Sequence, residues 1–443
     1  MKGIVKKYTG VNLVLRIVCG LVLGAVLALV VPPALAGAPG GVAGGVLGFL
    51  DGLVEAFGTL FVGALKGIAP LLVFLLVSSA LACAHVGGGA TMKRVIVLYI
   101  TGTVAAALLA VVMAHVFPVE MVFPSGADLT GYDPPDGIGE VVAALLANIV
   151  ANPIASIANA NYLGVLFWSI LVGLALRAFA TEGLLAAMRS LSDAVTQIVR
   201  WIIECAPFGI MGLVYAAVSD SGMGIFVDYG WLLAVLVASM LAMFFIINPL
   251  IVFLNTRMNP YPLVWRCITR SAFTAFFTRS SAANIPVNLG LCEEMGLDED
   301  NYSISIPLGT AFNMEGAAIT IATMTLAACH TLGIEVGFGS AILLCILSAI
   351  GACGASGVAG GSLLLIPMAC SLFGISGDIA MSVVAVGFVI GVIQDSMETA
   401  LNSSTDALFT ATAEIALCKK QRRPLPAGVP GVKAAGAQGE KGE

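Results

Sequence analysis

The sequence predicts an all-α polytopic membrane protein with eight transmembrane helices and two re-entrant helical hairpins. Three observations carry that prediction. The 443-residue chain is 59% hydrophobic and 10% charged, with mean hydropathy +1.02, whereas soluble domains carry about 25% charge. Its apolar residues come in long runs instead of the alternation that marks a barrel. Two of its ten apolar segments also carry a polar or glycine-rich tip in their middle.

The first segment, 12–32, follows Lys2, Lys6 and Lys7 and looks like the core of a signal peptide. Its apolar run of about twenty residues is long enough to remain as a span. Segments 46–83, 95–117, 139–180, 194–219 and 229–254 follow as further spans, then 262–291, 302–332, 339–374 and 378–418. Lys93 with Arg94, Arg189 with Arg200, the group Arg257, Arg266 and Arg270, and the group Lys419, Lys420, Arg422 and Arg423 alternate with loops almost free of basic residues. The 118–140 loop holds Glu120, Asp128, Asp133, Asp136 and Glu140 without Lys or Arg, so it is expected outside. Both termini are then cytoplasmic, which requires an even number of crossings.

Two segments make poor spans. Segment 339–374 divides into arms 339–350 and 362–373 around the tip 351–361, which contains five glycines. Twelve residues give ~18 Å of helix, a little over half of a ~30 Å hydrocarbon core. Glycine permits the tight turn, and such a tip is tolerated at membrane depth only when protein or water encloses it. Close packing of ordinary spans through small residues is the competing explanation. Segment 262–291 repeats the pattern around 278–284 (Thr-Arg-Ser-Ser-Ala-Ala-Asn), with Pro286 beyond. Between the two hairpins, Asn313, Met314, Glu315 and Gly316 interrupt 302–332. The 419–443 tail is polar and rich in Gly, Pro and Ala, and is expected to be disordered.

The last segment carries the chemistry. Asp395, Glu398, Thr399, Asn402 and Asp406 share one helical stripe within apolar surroundings. A carboxylate at membrane depth costs at least ~2.5 kcal/mol on insertion scales, so three in one helix point to a site for something cationic. Sodium prefers hard oxygen ligands. Asp406 with Asn402, one turn away, offers half a shell, and Gly309 and Asn313 are expected to add backbone carbonyls freed at the helix break. Glu315 is a further buried acid, and Tyr99 with Thr103 is open to two readings, a second ion site or ordinary packing. A helix beginning at a hairpin tip aims unpaired N–H groups at the pocket, which suits a carboxylate. Asp395 suits an ammonium and Asn402 both donates and accepts, so the pocket matches a zwitterionic amino acid. None of the ten cysteines stands at CxxC spacing, His85, His115 and His330 are isolated in sequence, and no base neighbours Ser280 and Ser281. These absences argue against a metal centre or an enzyme, and nothing suggests a nucleic-acid partner.

The 278–286 run (Thr-Arg-Ser-Ser-Ala-Ala-Asn-Ile-Pro), Asn313 to Gly316, the 354–361 tip and Asp395, Thr399, Asn402 and Asp406 occur in that order in the dicarboxylate/amino acid:cation symporter (glutamate transporter) family. The chain resembles this family in layout over 12–418 and in motifs over 270–415, and within it the bacterial serine/threonine:sodium symporters. The resemblance implies a homotrimer in the bacterial inner membrane, built from inverted repeats and working as an elevator-type importer of L-serine and L-threonine. The coupling ion would be Na+, with no organic cofactor. It implies a scaffold of 12–92 and 118–220, and a transport domain of helix 3 (93–117) with 229–418.

By the same resemblance, Ser281 and the 354–361 backbone (Ala355, Ser356, Gly357, Gly360) would hold the substrate carboxylate, beside Arg279 and Ser280. Asp395 would take the ammonium, with Thr399 and Asn402 close by. Gly309, Asn313, Asn402 and Asp406 would line one sodium site, and Tyr99, Thr103, Asn313 and Glu315 another. Members that carry acidic substrates have an arginine where this chain has Glu398. A glutamate there repels a second carboxylate and leaves two roles open: accepting a substrate hydroxyl, or pairing with Arg279. Glu315 and Ala317 replace the family's usual Asp and Thr, which bears on the second ion site. An acidic-substrate symporter and an anion channel are the alternatives.

Overall fold

The computed structural model describes residues 11–37, 41–83, 90–123, 149–355 and 360–430, and these residues form helices and no strands. The long helices are α1 Leu13–Gly37, α2 Gly41–Cys83 and α3 Ala90–Val116. A short α4, Pro153–Ala158, precedes α5, Tyr162–Phe179. Asn152 and Asn161 cap these two through their side-chain oxygens. Next come α6 Glu182–Glu204 and α7 Ala206–Ser221, which meet at an angle of 54°. The expected single span 194–219 is therefore bent, because Pro207 at the start of α7 supplies no N–H to continue α6. The expected span 139–180 is also broken, at 159–161, and its first ten residues lie outside the described ones.

Helix α8, Ile225–Thr256, passes through a π turn at Met243–Ile247. The first expected hairpin begins as α9 Tyr261–Cys267, a second π turn Ile268–Ala272 and α10 Phe273–Thr278. It returns as α11 Ser281–Glu294, capped by Ser280. The broken helix is α12 Glu299–Phe312 and α13 Glu315–Thr331. The second expected hairpin is α14 Phe338–Ala352 and α15 Leu363–Phe373, and the last helix is α16 Gly377–Gln421. Among the described residues, six helices can cross a bilayer by length and composition, and seven if the α6–α7 pair counts as one. The expected crossing at 302–332 is not among them, because its halves have 14 and 17 residues.

Packing sorts the helices. Helices α1, α2, α5, α6 and α7 lie against one another, while α3 and α8 to α15 pack on or near α16. An apolar cavity of 450 Å³ lies between these groups, lined by Val77 and Leu81 of α2, Ile170 of α5, Ile100 of α3 and Ile346 of α14. Helix α16 is the axis of its group: 72% of its apolar window is buried, against 39–50% in the other candidate spans. That enclosure allows it to carry polar side chains that a lipid-facing helix could not. One expectation fails here. Residues 419–430 are not a loose tail, because α16 continues to Gln421 and Val429 packs with Leu291, Cys292 and Met295. Arg266 also donates to the Gly428 carbonyl.

Candidate substrate and cation site

Arg279 and Gly360, from the two expected hairpin tips, reach the polar face of α16. Asp395, Glu398, Thr399 and Asn402 are 3–7% exposed and Asp406 is fully buried. Arg279 ends α10 in the left-handed region (φ +51°), a conformation a non-glycine residue keeps where its surroundings hold it. Its Nε donates to Asp395 Oδ2 at 2.6 Å, and the Gly360 N–H donates to Asp395 Oδ1 at 3.0 Å. One carboxylate thus ties the first tip to the second. Ser281 is buried at the start of α11, and Ala355 is buried in the tip of 339–374, just past the end of α14. Ser356 and Gly357 lie outside the described residues.

Glu398 does not pair with Arg279; that alternative is corrected by the Arg279–Asp395 ion pair. Glu398 Oε2 instead accepts from Gln394 Nε2 at 2.6 Å, Ser362 Oγ at 2.7 Å and Thr320 Oγ1 at 2.9 Å. These donors come from α16, the start of the second arm of 339–374 and α13, and all reach the same oxygen. Gln394 was missed in the sequence, although it stands one turn before Glu398 and helical spacing could have found it; Thr320 and Ser362 gave no such signal. Thr399 turns its hydroxyl onto its own helix, donating to the Asp395 carbonyl at 2.8 Å.

The second cluster forms where α12 and α13 separate. Asn313 Nδ2 lies 2.7 Å from Thr405 Oγ1, 2.9 Å from Asp406 Oδ1 and 3.1 Å from the Asn402 carbonyl. Asn402 Oδ1 accepts the Gly316 N–H at 2.7 Å, one of the donors left open at the start of α13. A Cβ on Gly309 would stand 2.4 Å from Asp406 Oδ1, so only glycine lets this backbone touch the carboxylate. The expectation of a freed Gly309 carbonyl is not met: it accepts the Asn313 N–H at 2.9 Å, in ordinary helical fashion.

The Tyr99 hydroxyl lies 3.1–3.3 Å from the Ser305 carbonyl, Thr410 Oγ1 and the Asp406 carbonyl. Thr103 donates to the Tyr99 carbonyl and accepts the Met314 N–H. Glu315 Oε2 accepts from Asn248 Nδ2 at 2.8 Å. No motif in the sequence pointed to Asn248.

Among the buried oxygens without a hydrogen-bond partner are Asn313 Oδ1, Glu315 Oε1 and Asp406 Oδ2. Among the described residues no basic side chain forms an ion pair with Glu315, Glu398 or Asp406. A buried carboxylate without a counter-charge is costly, and unpartnered amide and carboxylate oxygens are what a hard monovalent cation ligates. The residues present therefore fit sodium.

An apolar helical protein that encloses acids and amides between interrupted helices has the construction of a membrane transporter. The sodium:dicarboxylate symporter family matches residues 13–414, and this chain belongs to it. Over 363 residues the chain is 58% identical to the serine/threonine transporter SstT of Streptococcus agalactiae, covering 82% of this chain and 89% of the relative. Over 427 residues it is 52% identical to the serine/threonine transporter SstT of Bifidobacterium adolescentis, covering 96% and 95%. The resemblance drawn from the hairpin and stripe motifs thus holds across nearly the whole chain.

Proposed function

We propose that the chain imports serine and threonine into the bacterial cell with sodium, by alternating access of an elevator type. The observation that carries the substrate reading is the environment of Glu398. Three donors occupy Oε2, which leaves Oε1 as the acceptor for a substrate hydroxyl. A second carboxylate at this place would meet like charge in a medium of low dielectric. The substrate ammonium goes to Asp395, taking over from Arg279, and its carboxylate goes to Ser281 and the N–H groups of the second tip, with Asn402 assisting. Sodium is held by Asn313, Asn402 and Asp406 beside Gly309, and a second ion by Tyr99, Thr103, Asn313 and Glu315.

In the same reading α1, α2 and α5 to α7 form a static scaffold within a homotrimer, and the helices around α16 move as one body with the second hairpin as gate. The dense packing within each group, and the apolar cavity between them, support that division. The protein sits in the inner membrane with cytoplasmic termini. Coupling follows because sodium at Asp406 neutralises the charge that otherwise opposes closure, so each ligand raises the other's affinity by the same factor.

Labelled serine driven into proteoliposomes by a sodium gradient tests the proposal. Uptake is expected to need sodium, to be inhibited by threonine and to resist excess aspartate. The family's dicarboxylate members favour an acidic-substrate reading, and inhibition by aspartate with none by threonine would establish it; current without concentrative uptake would mark an anion channel. A second test addresses Glu398 directly. Ser362→Ala removes one of three donors to a charged acceptor and is expected to raise the serine KM roughly tenfold. An unchanged KM would show that Glu398 is not held for the substrate.

A further inference from the structure

Glu315 opens α13 just past the two-residue break, where open N–H groups and the positive end of the helix dipole favour a carboxylate. It is fully buried, its Oε2 is engaged by Asn248, and its Oε1 has no partner. Two features of the neighbouring helices α3 and α8 fix that arrangement.

The first is on α3. A Cβ at Gly102 would lie 2.3 Å from Glu315 Oε1 and 2.7 Å from the ring edge of Phe409. Any side chain at 102 would occupy the space of that oxygen. The second is on α8. Asn248 comes directly after the π turn Met243–Ile247, and the extra residue of such a turn rotates the remainder of the helix by about 100°. Asn248 is 1% exposed, so it faces the interior, and its own Oδ1 is buried without a partner. Pro249 comes next.

Glu315 Oε1 therefore brings one charge beside unpartnered amide oxygens on Asn248 and on Asn313, two residues away; the neighbouring acid, Asp406, is engaged by Asn313 Nδ2 and belongs to the first ion site. A single charge among neutral oxygens suits a monovalent cation, whereas a divalent ion draws on more carboxylates. We propose that Gly102 and Asn248 are positioning residues for a sodium ion carried at Glu315. Gly102 leaves the room that Oε1 occupies, and Asn248 fixes the carboxylate through Oε2 so that Oε1 is the oxygen left for the ion. The inference rests on the sodium-coupled reading above and adds two residues to the ion site, Gly102 on α3 and Asn248 at the π turn of α8.

The test is a double-mutant comparison on the purified full-length protein, read as the sodium concentration that half-saturates both serine uptake and the rise in Tm, with choline chloride as control. Gly102→Ala is expected to raise that concentration at least about fivefold when Glu315 is present, and no more than about twofold beside Glu315→Asp, whose shorter chain withdraws from position 102. The contact with Phe409 is the same in both backgrounds and cancels. Asn248→Leu, a second and independent variant, is expected to weaken sodium at least about fivefold, with a smaller change in the serine KM at saturating sodium. Equal effects of Gly102→Ala in both backgrounds, or a wild-type sodium response in Asn248→Leu, would overturn the proposal. Absence of any sodium response in the wild-type protein would instead overturn the transport reading itself, and this inference with it.

Discussion

Glu398→Arg is expected to abolish serine and threonine uptake, with a loss of at least about 100-fold in kcat/KM, while the protein still folds. The loss follows from the Oε2 contacts with Gln394, Ser362 and Thr320, which hold Glu398 so that it accepts and never donates. A guanidinium only donates, so a substrate hydroxyl must turn its lone pair inward and lose its acceptor. Folding survives because the lining adapts. Ser362 and Thr320 hydroxyls can accept as well as donate, and Gln394 Oε1 is already buried without a partner. An arginine also brings a positive charge one turn from Asp395, in competition with Arg279 for the same carboxylate. That pocket attracts a second carboxylate, so aspartate is expected to become an inhibitor. Competition uptake with labelled serine measures both effects; retained serine transport would remove Glu398 from the account of selectivity.

The features of α16 were legible in the sequence because helical spacing alone decides which residues share a face, and Asp395 to Asp406 could share only one. The break at Asn313 and the tip around Arg279 were legible for a related reason, since polar groups interrupting apolar runs have few stable placements. The partners chosen across the fold were not legible. By spacing alone Arg279 could pair with either of two acids one turn apart, and only the folded chain selects Asp395. Asn248 reads as a polar residue in an apolar helix, and its direction depends on a π turn that spacing by 3.6 residues cannot anticipate. The Gly309 carbonyl keeps its helical bond because Asn313, the residue that caps α12, still donates its N–H to it. Residues 423–430 read as polar tail, yet Val429 and Leu425 join the apolar cluster that holds Leu291 and Met295, and Gly428 accepts from Arg266.

Asp406→Asn is expected to raise the sodium concentration for half-maximal uptake by at least about 100-fold, because losing the charged partner of a buried pair is worth about 3–5 kcal/mol. The change is nearly isosteric, and Asn313 Nδ2, now 2.9 Å from Asp406 Oδ1, fixes which way the new amide turns. Its oxygen must face Asn313, so its NH2 takes the place of Oδ2, the oxygen that now has no partner. A donor then points where the ion would bind. The same argument gives the sign of the stability effect. Without sodium the variant is expected to be as stable as the wild type or more so, since a buried charge lacking a counter-charge has been removed. With sodium the wild type gains stability as binding favours the folded state, and the variant does not. Thermal unfolding in sodium chloride and in choline chloride separates these cases, because a variant that merely misfolded would lose stability in both. A full sodium-dependent rise in Tm for Asp406→Asn would place the ion elsewhere and leave the unpartnered Asp406 oxygen without a role.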